Sequence, residues 1–121
     1  MDTFLMGRKL INDNAGVELT TAQMTELQGY RDQAVMAWEK SIASTVVHYI
    51  NDTHADITSD DADGDLAKHW SELKGFFLGL QFNPRSPLSD ADFVTVNNLI
   101  GDKPVTDFTD TAAKAAYLAD L

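Results

Sequence analysis

Two side chains one helical turn apart, His69 and Glu72 in the run His69-Trp70-Ser71-Glu72, are the most pointed chemistry in this chain. A His and a Glu at i and i+3 share one helix face, and both can reach a single metal ion. Di-metal helical bundles use inward pairs of this kind, with Glu first, His three residues later and the motif in duplicate. Here the order is reversed and there is one copy. The competing reading is a surface or half-buried polar face in which Glu72 pairs with Lys68, four residues earlier.

A second cluster is the acidic stretch 59–66, where Asp61 and Asp63 alternate ahead of Gly64. It partly mimics a calcium loop leading into a helix. Calcium takes about six to eight oxygens, and an EF-hand loop closes on a bidentate Glu. Trp70 stands where that Glu belongs and Ser59 where the first ligand belongs, which favours a solvated, helix-capping loop. A third cluster gathers His48, Asn51, Asp52 and His54 at the expected end of a long helix. There a histidine is favoured by the helix dipole without any catalysis.

Covalent and nucleotide chemistry has little support. Ser41, Ser44, Ser71 and Ser86 stand in no nucleophile-elbow context, and there is no P-loop, GxGxxG or HExxH pattern. The chain has no cysteine, which excludes disulfides, zinc–thiolate sites, iron–sulfur clusters and cysteine nucleophiles. Glu39 falls within the apolar helix and is expected to be half-buried, with Arg31 or Arg8 as its partner.

The elements that must position these groups are helical. Thr3 to Asn12 reads as a short helix, ended by Asn14-Ala15-Gly16. Thr20 with Gln23 three residues later is a capping box. It opens a long spine helix over about residues 22–51, with Met24, Leu27, Tyr30, Ala34, Val35, Trp38, Ile42, Val46, Tyr49 and Ile50 placed mostly at helical spacings of three and four. An acidic loop over 52–65 follows. A third helix runs from Asp65 to Leu80 with Leu66, Trp70, Leu73, Phe76, Phe77 and Leu80 as its stripe, and Asp63 and Asp65 at its N-terminus suit the dipole. Asn83-Pro84 and Ser86-Pro87 break the chain. Ser89 and Asp92 cap a fourth helix through Ile100, stopped by Gly101-Asp102-Lys103-Pro104. A last, alanine-rich helix runs from Asp107 or Thr109 to Leu121. The expectation is an all-α bundle of four to five helices, one domain over residues 1–121.

The formal charge is −10, from 19 acidic against 9 basic residues, and fifteen of the acids are Asp. Such a surface repels phosphate backbones and anionic bilayers, so neither nucleic acid nor an anionic membrane is an expected partner. The Asp excess also fits a salt-adapted or marine source. No apolar run approaches the roughly 20 residues that span a bilayer. The first residues, MDTFLMGRKLINDN, show no signal-peptide pattern.

Residues 68–105 carry a family resemblance. KHWSELKGFFLGLQFNPRSPL followed by FVTVNNLIGDKPV resembles the C-terminal part of an imelysin-like bacterial family of exported or lipid-anchored helical proteins, catalogued only as a domain of unknown function. The likeness is looser over GRKLIN and the long helix. Imelysins proper carry a Gly-x-His-x-x-Glu motif linked to iron. Here the matching positions are Ala67, in place of the glycine, His69 and Glu72. The resemblance implies His69 and Glu72 as metal contacts, iron as the metal and a periplasmic or cell-envelope location. A peptidase activity finds no support in these residues. Family members are several times longer, so a chain matching only their C-terminal part should leave an apolar helix face uncovered. That implies self-association, with two copies packing their long helices. Three functions follow in order: a binding domain for a metal or small ligand, a structural or protein-interaction bundle, and last a hydrolase.

Overall fold

A computed structural model describes residues 2–59, 65–104 and 109–121. It is all-α, with five helices and no strand among the described residues: α1 (Asp2–Asp13), α2 (Thr21–Thr58), α3 (Asp65–Gly79), α4 (Asp90–Ile100) and α5 (Thr111–Asp120). A 3₁₀ turn, Leu80–Phe82, follows α3. The all-α bundle with one long helix is thus present. The chain divides into two compact units, Met1–Lys40 and Ser41–Leu121.

In the first unit, Asn14 ends α1 by donating from Nδ2 to the Leu10 carbonyl at 2.8 Å. The chain turns through Gly16, whose φ of +83° favours glycine. The capping box forms as expected. Gln23 N–H donates to Thr20 Oγ1 at 3.3 Å, and Thr20 N–H donates back to Gln23 Oε1 at 2.9 Å. Gln23 also donates to Asn14 Oδ1 at 2.9 Å, which ties the turn to the start of α2.

The long helix begins where the capping box places it but ends at Thr58 rather than near residue 51. The acidic loop was expected too early. Residues 51–59 contain no Gly or Pro, and Thr53 and Ile57 are fully buried. Packing therefore outweighs the modest helix propensity of Asn, Asp and Thr. Thr58 and Ser59 finish the helix by donating to the carbonyls of His54 and Ala55 at 2.8 and 2.9 Å.

The core of the second unit is the α3 stripe Trp70, Leu73, Phe77 and Leu80 packed with Val46 of α2 and Ile100 of α4. Each such side chain contributes about 1.5–3 kcal/mol on burial. Phe77 stacks on Phe93 of α4 with ring centroids 4.8 Å apart. Phe76, expected on the same stripe, is 42 % exposed. Trp70 Nε1–H donates to the Ile100 carbonyl and to Tyr117 Oη at 3.2 and 3.1 Å, and Tyr117 O–H donates to the same carbonyl at 2.8 Å. Burial raises the Tyr117 pKa, partly opposed by the hydrogen bond from Trp70.

Lys74 closes the end of α4. Its ammonium donates to Asn97 Oδ1 at 2.9 Å and to the Gly101 carbonyl at 2.6 Å, where α4 has carbonyls left without helical partners. Gly101, with φ +79° and ψ −178°, takes a conformation reserved almost entirely for glycine. Ser89 caps the other end by accepting from Asp92 N–H at 3.1 Å, and Asp110 caps α5 by accepting from Ala113 N–H at 2.9 Å.

Candidate functional site

Within the second unit, α2 and α3 face each other across a polar layer. Tyr49, Thr53 and Asp56 recur at i, i+4 and i+7, on one stripe of α2, and His69, Glu72 and Phe76 recur at i, i+3 and i+7 on α3. The Tyr49 ring stacks on Phe76 at 5.7 Å and lies 6.1 Å from the His69 ring. Asp56 Oδ2 is 2.7 Å from His69 Nδ1, with the two side chains 13 % and 18 % exposed. The Tyr49 pKa is raised first by burial and then by the charge of Glu72 and by hydrogen bonding to it.

Two oxygens of the layer are left over. Thr53 Oγ1 and Glu72 Oε2 are buried with no hydrogen-bond partner among the described residues. Thr53 is fully buried and lies on α2 between Tyr49, which reaches Glu72, and Asp56, which reaches His69. A buried polar atom left unmatched costs about 1–3 kcal/mol. A group that donates to these oxygens or coordinates them would recover that cost.

The His69–Asp56 contact has a direct chemical consequence. A carboxylate has no proton to give, so Nδ1–H is the donor. In the neutral ring this leaves the Nε2 lone pair available. Metal-binding histidines are oriented in this manner, with the second nitrogen donating to a carboxylate. His69 and Glu72 therefore have the donor chemistry a metal requires. Among the described residues, however, no three or more His, Asp or Glu side chains gather to hold an ion. An ion at His69 and Glu72 would draw further ligands from water or from hydroxyls such as Thr53. Lys68 makes no ion pair with Glu72 among the described residues.

The other candidates do not converge in this way. His48 Nε2 is 3.3 Å from Asp52 Oδ2, an i, i+4 pair with His48 63 % exposed. Because α2 continues to Thr58, His48 sits inside the helix and the dipole argument at its C-terminus does not apply. His54 faces its own turn, with Thr58 Oγ1 3.4 Å from its Nδ1. The calcium-like loop, with Asp61, Asp63 and Gly64, lies outside the described residues, as does Asp107. Ser59 is engaged in capping α2. Glu39 is buried, as part of the first unit, and Arg31 bonds Asp32.

No protein-family model, curated protein or solved structure matches this chain. The sequence pattern places Tyr49 on the apolar stripe of the long helix and Thr53 and Asp56 in a loop, so it does not bring the three together. The signal that reveals them is the i, i+4, i+7 period continuing past Asn51 through a stretch free of Gly and Pro. No helix is long and apolar enough to cross a membrane among the described residues.

Proposed function

We propose that this chain is a non-catalytic, imelysin-like helical binding domain of the cell envelope, holding a metal ion or a small polar ligand at the α2–α3 layer through His69 and Glu72. The observation that carries this reading is the buried, unpartnered Glu72 Oε2 beside a histidine whose Nδ1 is already committed to Asp56. Residues 68–105 support the family likeness, and with it iron as the metal. Metal analysis of the purified protein tests the reading. The wild type retains metal after dialysis and a His69→Ala/Glu72→Ala variant loses it. Equal metal content in the two overturns the site.

A second reading, a protein-interaction bundle that self-associates through an apolar helix face, is favoured by a separate observation. In the first unit Phe4, Leu5, Met6, Ile11, Val17, Met24, Met36 and Trp38 are exposed. Concentration-dependent sedimentation tests this reading, and the two readings are compatible in one molecule.

A further inference from the structure

Four of the exposed apolar side chains of the first unit, Phe4, Ile11, Met24 and Trp38, gather around one face. α1 crosses α2 closely at Gly7, where an added Cβ would stand 3.4 Å from Tyr30 Cβ and 3.6 Å from Leu27 Cδ1. Beside this crossing runs a furrow of about 430 Å³ whose lining includes Phe4, Gly7 and Ile11 of α1 and Leu27, Tyr30 and Ala34 of α2. Met24, three residues before Leu27, and Trp38, four residues after Ala34, continue the α2 wall along the same helical stripe. Phe4 is 65 %, Ile11 52 %, Met24 43 % and Trp38 74 % exposed.

We infer that a second copy of this chain occupies the furrow, so that two α1–α2 hairpins pair into a four-helix interface. The inference rests on the self-association reading above and adds its surface. Three observations select a second copy. The first is shape: the same face carries its own knobs, Phe4 and Trp38, and its own small-residue floor, Gly7 and Ala34. A two-fold pairing needs such a self-complementary surface. The second is charge. Met1–Lys40 holds six acids against four bases, a net −2, whereas Ser41–Leu121 holds 13 against five, a net −8. Two copies meeting through the first unit bring together the nearly neutral part of an acidic chain. An anionic bilayer would meet a unit that itself carries net negative charge and so has no electrostatic attraction for it. The third is area. Four such side chains with the furrow floor expose on the order of 600 Å², comparable to the ~800 Å² each partner contributes to a standard interface.

Sedimentation velocity of the full chain tests this, comparing wild type with Phe4→Glu/Ile11→Glu in the furrow and with Phe82→Glu, an exposed apolar site outside it. The account expects a wild-type dimer, a dimer for Phe82→Glu, and a dissociation constant raised about 100-fold for the furrow variant. Because glutamates in α1 can unfold the hairpin, a milder probe accompanies them. The chain has no cysteine, so Ile11→Cys supplies a unique thiol that a short bifunctional reagent should link between copies, and Phe82→Cys should not link. A wild type that stays monomeric at about 100 μM overturns self-association and the furrow together. A wild-type dimer that the furrow variant leaves unchanged, or that Ile11→Cys fails to link, overturns the furrow alone.

Discussion

The two units use apolar residues to opposite ends. In Ser41–Leu121 the α3 stripe meets α2 and α4, and Leu73 and Phe77 are 0 % and 2 % exposed. In Met1–Lys40 the apolar residues are as regular in spacing, yet the described residues that are buried are Gly7 and Glu39. The difference is one of layers rather than of composition. Two helices share a single seam, and an apolar stripe wider than that seam stays open until a further helix covers it. The second unit contains its covering helices, and the first does not.

The largest expected effect sets the units against each other directly. Phe77→Ala should lower the unfolding free energy by about 3–5 kcal/mol, while Phe4→Ala in dilute solution should stay within about 0.5 kcal/mol of wild type. Urea denaturation measures both, and equal losses would erase the contrast. Next come the devices that fasten α4 onto α3. Gly101→Ala strains a backbone with positive φ and should cost about 1–3 kcal/mol. Lys74→Met should cost about 1.5–3 kcal/mol by leaving the carbonyl of Gly101 and the Asn97 side chain without their donor. Thermal melts showing no loss for either would mean that α4 is held by burial alone.

A smaller effect probes the polar layer. Thr53→Val keeps the shape and removes an unmatched hydroxyl, so metal-free protein should be as stable as wild type or up to about 1 kcal/mol more stable. A clear loss in calorimetry would show that the hydroxyl has a partner. The smallest effect is a pH dependence. The Tyr117 pKa is raised in the fold, so the folded state keeps that proton more firmly than the unfolded chain. The stabilisation is complete below the ordinary tyrosine pKa of about 10 and is lost as pH rises through the folded value. Wild type should therefore lose more stability than Tyr117→Phe between pH 9 and about pH 11, read from denaturation midpoints. Parallel slopes would contradict this.

What the sequence shows of this molecule follows the same division. The α3 stripe, the Thr20–Gln23 box and the Ser89 cap were legible because each is set by residues within a few positions of one another. Lys74 was not legible, since its acceptors lie at Asn97 and Gly101, and nothing local marks a lysine that turns inward. The His69–Asp56 pair spans thirteen residues and was hidden by ending α2 at Asn51. Local propensity favoured a loop there, and the burial of Thr53 and Ile57 overrode it. Trp38 misleads in the other direction. Its spacing reads as core, and it is the most exposed member of its stripe because no further helix within its unit covers it.

Hydrogen exchange read peptide by peptide over a range of protein concentrations tests the contrast between the units most directly. Amides of α3 and the adjoining part of α2 in Ser41–Leu121 should be protected equally at every concentration. Amides of α1 and of α2 before Ser41 should exchange fast when dilute and gain protection as the chains pair. Strong protection of residues 2–40 at the lowest concentration, unchanged on concentrating, would show that the first unit is stable alone and would contradict the account.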